Sequence, residues 1–174
     1  MLVMDRPSAA EFASFYAGYV SLVPEADIMS VLEGQADDVR LQARAFIPKR
    51  EEFRCAPGKW SVREVLGHVT DAERVFGFRA FSFSRGDENA LPGFEQDDYV
   101  ARAGFDRCRL TDLVQQFGQL REANLTVLRR LDDTAWRRMG TASGKPVSVR
   151  ALAYIMAGHV RHHLHILSTR YAEI

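Results

Sequence analysis

Four of the five histidines in this chain fall within seven residues: His159, His162, His163 and His165. The fifth, His68, stands about ninety residues upstream. Imidazole is the commonest protein ligand for metal ions and the side chain that titrates nearest neutral pH. The cluster is interleaved with Val160, Arg161 and Leu164 in an apolar-periodic segment, so it belongs to the fold and is no terminal tag. On a helix, residues four apart project from one face a turn apart. His159 and His163 can therefore meet one ion at about 2.0–2.1 Å each. His162, three residues after His159, is the next candidate, and His165 is rotated away from it. Leu152, Ile155 and Met156 extend the same face backward and Ile166 and Leu167 forward, which predicts that the pair looks into the core.

His68 is flanked at helical spacing by Val65, Ala72, Val75 and Phe76, so it too is expected to point inward. A lone inward histidine is ordinarily a satisfied core residue. Three that converge are hard to satisfy except around a metal or an extensive polar network. Asp71, three residues after His68, is a candidate to orient it or join it as a ligand, whereas Glu73 and Glu64 are less well placed. His68 follows Gly67 and His159 follows Gly158. Glycine inside a helix costs roughly 1 kcal/mol relative to alanine, so each is expected to permit a close helix approach beside the site. Three neutral imidazoles leave coordination positions open to water or substrate, the pattern of a reactive site rather than a closed structural one. The expected cofactor is a divalent ion, zinc or nickel first and iron or manganese after them, since all accept nitrogen ligands.

The segments that must position these residues read as helices. Ser8 and Pro24 bracket a first stretch with Phe12, Phe15, Tyr16, Tyr19 and Val20 at helical spacing. Asp27 opens a second, from Ile28 to about Phe46, with Leu32, Val39 and Leu41, and Pro48 stops it. After a loop, Ser61 and Glu64 form a capping box for a helix that carries His68 and ends near Gly86. The stretch from Asp87 to Arg109 reads as a long connection with a short helix around Asp97–Ala103. A connection of that length is either functional or a crossover between distant ends of a bundle. Thr111 is expected to cap the next helix, with Leu113, Val114, Phe117, Leu120, Leu125, Leu128 and Leu131 on its stripe. A turn over Gly140–Pro146 leads to Ser148, the expected cap of a last helix running to about Tyr171. No alternating β-branched run and no Asn-Gly or Asp-Gly turn appears. Four principal helices and one short extra helix make an all-α bundle, in one domain over residues 1–174.

Lysine plus arginine and aspartate plus glutamate both number 23, so no overall field draws in nucleic acid or an anionic membrane. No apolar run approaches the roughly 18–20 residues that span a bilayer. Met1–Pro7 lacks a signal-peptide layout, and Cys55 and Cys108 are too few and too far apart for a disulfide framework or a zinc knuckle. Together these place the chain, as an expectation, in the cytoplasm with reduced thiols.

The segment Ala56-Pro57-Gly58-Lys59-Trp60-Ser61-Val62-Arg63-Glu64-Val65-Leu66-Gly67-His68 resembles the first motif of the DinB/YfiT-like superfamily of metal-binding bundle proteins. Leu91-Pro92-Gly93-Phe94-Glu95-Gln96-Asp97-Asp98-Tyr99-Val100 is similar to its middle segment, and Ser148 to His163 to its final helix. The resemblance covers nearly the whole chain. It implies a four-helix bundle of up-down-down-up connectivity, with 87–109 as the crossover, and a three-histidine metal site on His68, His159 and His163. It also implies a homodimer and a small-molecule substrate. Some relatives are thiol S-transferases using bacillithiol or mycothiol, and others are isomerases or hydrolases, so the family indicates the metal better than the reaction.

The leading functional expectation is a metal-dependent enzyme in which the ion activates a bound thiol or water. Transfer of a low-molecular-weight thiol is placed first and hydrolysis second. Val160 follows His159, so the His-Glu-x-x-His general base is absent, and no Gly-x-Ser-x-Gly elbow occurs. A non-catalytic, stress-related metal-binding protein is the expectation from a different class.

Overall fold

The computed structural model describes residues 5–171; Met1–Met4 of the N-terminal segment read above, and residues 172–174, lie outside the described residues. Four long helices carry the architecture: α2 (Ile28–Arg44), α3 (Val62–Ser84), α5 (Leu110–Leu128) and α7 (Val149–Arg170). Three short ones accompany them: α1 (Ala17–Ser21), α4 (Gln96–Ala103) and α6 (Asp133–Arg137). The contacts between the long helices fix their directions. Glu73 meets Arg121 while Gly77, one turn on, meets Asn124, so α3 and α5 run parallel. Glu33 pairs with Arg129, whereas Ala43 and Arg44 lie opposite Thr111 and Val114, so α2 and α5 are antiparallel. His68 faces His159 and His163, while Ala80 and Phe83 join Leu152 and Val149 in one apolar cluster, so α3 and α7 are antiparallel. The bundle is up-down-down-up, and the parallel pair α3–α5 is what makes a long crossover obligatory.

The core has two apolar clusters with a buried polar layer between them. The Arg121 guanidinium donates to both carboxylate oxygens of Glu73, at 2.9 and 2.8 Å. It also donates to the Leu32 carbonyl at 3.0 Å and to Gln35 Oε1 at 2.8 Å. Gln35 Nε2 donates to the Ala157 carbonyl at 2.7 Å, and Asn124 Nδ2 to Glu73 Oε1 at 2.7 Å. All four long helices thus meet in one network, and it grips α7 two residues before His159. Glu73, weighed from sequence as an outlying acid near the site, is a structural partner of Arg121.

Local capping works where expected at α3 and α7. Ser61 Oγ accepts from Glu64 N while the Glu64 carboxylate accepts from Ser61 N, and Ser148 Oγ accepts from Ala151 N. Other boundaries differ from the sequence reading. The first stretch is not one helix: it breaks into 3-10 turns at Ala9–Glu11 and Ser14–Tyr16 before α1, with Phe12 extended. Glu11 caps the first turn by accepting from Ser8 N at 2.9 Å, but it is also tied to Arg150 at 2.6 Å and Ser148 at 2.8 Å, tertiary partners that local periodicity does not register. Helix α2 stops at Arg44, and Leu41 points to solvent at 68% exposure. Helix α5 starts at Leu110 rather than behind a Thr111 cap, because Glu51, held by Arg63, accepts the Leu110 amide at 3.2 Å. The turn expected over 140–146 is a full antiparallel hairpin, β1 (Met139–Ala142) and β2 (Lys145–Ser148). Its turn is Ser143-Gly144, both at positive φ of 54° and 70°, the geometry that favours two-residue hairpins. Strands containing Gly140 and Pro146 carry too little β-propensity to announce themselves.

The crossover is laid against this hairpin. Leu91 N donates to the Thr141 carbonyl at 2.9 Å, and Ser143 N to the Leu91 carbonyl at 3.1 Å. The short helix expected near 97–103 is α4. No helix of the described residues is long and apolar enough to cross a membrane. Both cysteines are free thiols.

Candidate metal centre

His68 on α3 and His159 and His163 on α7 come together, with one ring nitrogen from each lying within 4.8 Å of the other two. All three are buried, at 1%, 4% and 7% exposure. Nε2 of His68 stands 3.0 Å from Nε2 of His159. Two nitrogens at about 2.1 Å from a common ion, subtending roughly 90–110°, lie about 3.0–3.4 Å apart. The spacing therefore suits two ligands of one ion. A second observation comes from His163, whose Nδ1 is buried with no hydrogen-bond partner among the described residues and so is free to ligate. Nδ1 of His68, across the ring from the nitrogen that faces His159, is unpartnered too but points away from that ion. Buried polar atoms are rarely left so.

Burial sets the protonation state. It holds the His68 imidazole down at about 4, with nearby His162 adding to the effect. Burial likewise takes His163 to about 2, reinforced by His68 and His162. His159, the most enclosed, is pushed well below its ordinary value by burial and then by His163, His68 and His162. Three neutral imidazoles facing one point are a ligand set ready for a cation without first losing protons.

His162 packs its ring on Tyr19 at 5.4 Å and is half-buried, outside the trio. His165 is exposed. Asp71 is half-buried and makes no hydrogen bond to His68; burial raises its carboxyl, an effect that Arg74 eases. Among the described residues no carboxylate joins the three nitrogens as a fourth ligand.

Aromatic rings enclose the cluster from elements that the histidine spacing alone does not implicate. Trp60, just before the Ser61 cap, lies 4.9 Å from the His68 ring. Phe94 of the crossover is parallel to His68, at 6.1 Å and 4°. Tyr19 of α1 meets His159 edge-on at 5.4 Å, and Phe76 meets it at 5.8 Å. The glycines serve these contacts rather than an approach of α3 to α7. A Cβ on Gly158 would lie 2.0 Å from the Tyr19 carbonyl oxygen, and one on Gly67 would lie 2.5 Å from the Phe105 ring. The signals in sequence were the aromatics of Gly58-Lys59-Trp60 and Pro92-Gly93-Phe94, but pairing them with the histidines required the fold.

Two cavities reach the cluster. One, about 330 Å³, is bounded by His68, His159, Tyr19, Phe76, Phe94 and Arg79 among others. The other, about 520 Å³, touches His163 and is bounded by Cys55, Lys59, Trp60, Arg170 and Tyr171. A larger groove of about 680 Å³ between α2 and α5 touches none of the histidines.

A family model of the DinB superfamily matches residues 26–167. No curated protein sequence matches the chain. Among solved structures the fold is similar to that of YfiT from Bacillus subtilis, described as a probable metal-dependent hydrolase with an unusual four-helix bundle topology. The TM-score is 0.72 at 13% identity, covering 95% of this chain and 90% of that one. It is also similar to the mycothiol-dependent maleylpyruvate isomerase, with a TM-score of 0.66 at 13% identity, over 84% of this chain and 61% of that one. Identity this low speaks to the fold, while the match over residues 26–167 speaks to descent: the chain belongs to the DinB superfamily.

Proposed function

We propose that this protein is a metal-dependent enzyme acting on a small molecule, with one divalent ion, zinc or nickel, held by His68, His159 and His163. The observation that carries this reading is the trio itself: three buried, neutral imidazoles with one ring nitrogen each within 4.8 Å of the others, Nδ1 of His163 being buried and unpartnered. When bound, such an ion lowers the pKa of a thiol or water beside it and so supplies a nucleophile at neutral pH.

The chain's own residues hold and enclose the site. Burial keeps the imidazoles unprotonated, and Trp60, Phe94 and Tyr19 fix the ring planes while excluding bulk water. The two cavities approach the histidines from different sets of elements, one past α1 and the crossover, the other past Trp60 and the end of α7. Room for two reactants favours transfer between two molecules, and the dependence of a structural relative on mycothiol supports a low-molecular-weight thiol as one of them. Hydrolysis is the second reading, favoured by the description of YfiT.

Metal-loaded protein assayed with glutathione and 1-chloro-2,4-dinitrobenzene, and separately with 4-nitrophenyl acetate alone, separates the two. The transfer reading expects thiol-dependent turnover that His163→Ala removes. Ester hydrolysis indifferent to added thiol would favour the second reading, and neither activity in metal-loaded protein would count against an enzyme of these classes.

A further inference from the structure

Arg79 lies on α3, eleven residues and three turns beyond His68, and so on nearly the same face. Its side chain is 3% exposed. Among the described residues, three arginines are buried: Arg79, Arg121 and Arg150. Arg121 is neutralised by Glu73 and Arg150 by Glu11. Arg79 has no carboxylate partner among the described residues. A guanidinium stays charged at every accessible pH, and burying that charge without a counter-ion is costly.

Only one of its terminal nitrogens is engaged, donating to the Pro92 carbonyl at 2.7 Å and to Ser143 Oγ at 3.1 Å. Nε and the other terminal nitrogen have no acceptor among the described residues and keep access to solvent through the cavity they border. Both acceptors are held in place by the fold: Ser143 by its left-handed backbone at the hairpin turn, and Pro92 by the bridge of its neighbour Leu91 to Ala142. The head group therefore sits in a rigid cradle with donors to spare. Arg79 borders a smaller cavity behind the crossover as well, but its Cζ lies 5.9 Å from the Phe76 ring, and Phe76 packs on His159 at 5.8 Å. The Arg79 acceptor Ser143 lines the histidine cavity and the acceptor Pro92 the smaller one, so the head group stands where it can reach the histidine side. Glu95, the carboxylate on the wall of the same cavity, is exposed and unpaired with Arg79.

We infer that Arg79 is the anion-binding end of the 330 Å³ cavity, and that it takes the carboxylate of a small substrate whose apolar body lies against Phe76 and Phe94 and whose far end reaches His68 and His159. One unpaired cation matches one carboxylate better than a doubly charged phosphate. The spans through Phe76 limit the distance from guanidinium to imidazole to about 12 Å, so the ligand is a chain or ring of a few carbons rather than a peptide or nucleotide. This assignment rests on the proposed centre for its meaning, but the anion site exists without the ion.

The test is calorimetric titration of 3-phenylpropionate and its neutral isostere 3-phenylpropionamide into zinc-loaded and chelator-treated protein. The carboxylate is expected to bind at least about tenfold tighter than the amide in both forms. Arg79→Gln is expected to bring that preference to near unity with zinc stoichiometry unchanged, while Arg79→Lys keeps part of it. Ser143→Gly removes the hydroxymethyl side chain at an exposed hairpin turn and suits the positive φ, so it is expected to fold as the parent does. It is expected to weaken the carboxylate by roughly threefold or more and to leave the amide unaffected. Equal binding of acid and amide overturns the inference, as does an unchanged carboxylate affinity in a folded Arg79→Gln or, should that variant not fold, in Ser143→Gly. Protein that takes up no zinc yet shows an Arg79-dependent preference would sink the metal reading alone; zinc uptake without the preference would sink the anion site alone.

Discussion

A histidine buried neutral carries a thermodynamic signature that the metal-free protein must show. His68 and His163 titrate at about 4 and about 2 in the fold, against an ordinary value of 6.5 once unfolded. Between these values the unfolded chain binds more protons than the native one, so stability falls as pH falls. The contribution is complete above pH 6.5 and is lost progressively below it, down to about 4 for His68 and about 2 for His163. Each histidine contributes a slope of up to about 1.4 kcal/mol per pH unit within its window. Urea denaturation of chelator-treated protein at pH 7.5, 6 and 5 is expected to show this decline, and His163→Ala is expected to flatten it. A parent protein equally stable at all three values would contradict burial of neutral imidazoles. Sequence spacing selected His159 and His163 because i, i+4 geometry is local, and the apolar flanks of His68 turned it inward. It left His162 and Asp71 open because which way a side chain departs from a helix flank depends on what packs there.

Two features of the helices govern how the site is held. The first is the Glu73–Arg121 pair at the centre of the bundle, with both side chains 1% exposed. Arg121→Met strands a buried carboxylate and is expected to cost about 3–5 kcal/mol, while adding Glu73→Leu recovers most of the loss. Chemical denaturation of the single and double variants measures both, and a single variant within 1 kcal/mol of the parent would contradict the network. The second is the approach of α1 to α7 at Gly158. Alanine there gains about 1 kcal/mol of helix propensity, but its Cβ meets the Tyr19 carbonyl oxygen at 2.0 Å, and backbone cannot swing aside as a side chain can. Gly158→Ala is therefore expected to lose about 1–3 kcal/mol net and to shift the ring resonances of His159 and His162 as Tyr19 departs. Net stabilisation would show that α1 does not sit on this face. Caps built from neighbours in the chain, such as Ser61–Glu64, were legible from sequence. The cap of α5 by Glu51 was not, since its donor and acceptor lie 59 residues apart.

At the scale of the whole molecule, the up-down-down-up order makes one long connection unavoidable, and the protein uses it at the site. The crossover pairs with the hairpin, lays Phe94 over His68 and presents the Pro92 carbonyl to Arg79. Periodicity revealed the four long helices, because an apolar stripe of period 3.6 is written along each of them. The resemblance of three separated motifs revealed their order. The hairpin and the broken N-terminal stretch escaped because their conformations follow from tertiary partners, Leu91 for one and Arg150 for the other, rather than from local pattern. What those unannounced pieces contribute is enclosure: without α1, Trp60 and the crossover, the three histidines would be a solvated cluster with ordinary titration.

The most direct measurement is metal content by elemental analysis of protein purified without chelators, alongside His68→Ala, His159→Ala and His163→Ala. The account predicts close to one first-row metal ion per chain in the parent, a loss of tight binding in each variant and largely preserved helical circular dichroism. A parent that stays metal-free after incubation with zinc or nickel, or variants that bind as the parent does, would contradict it.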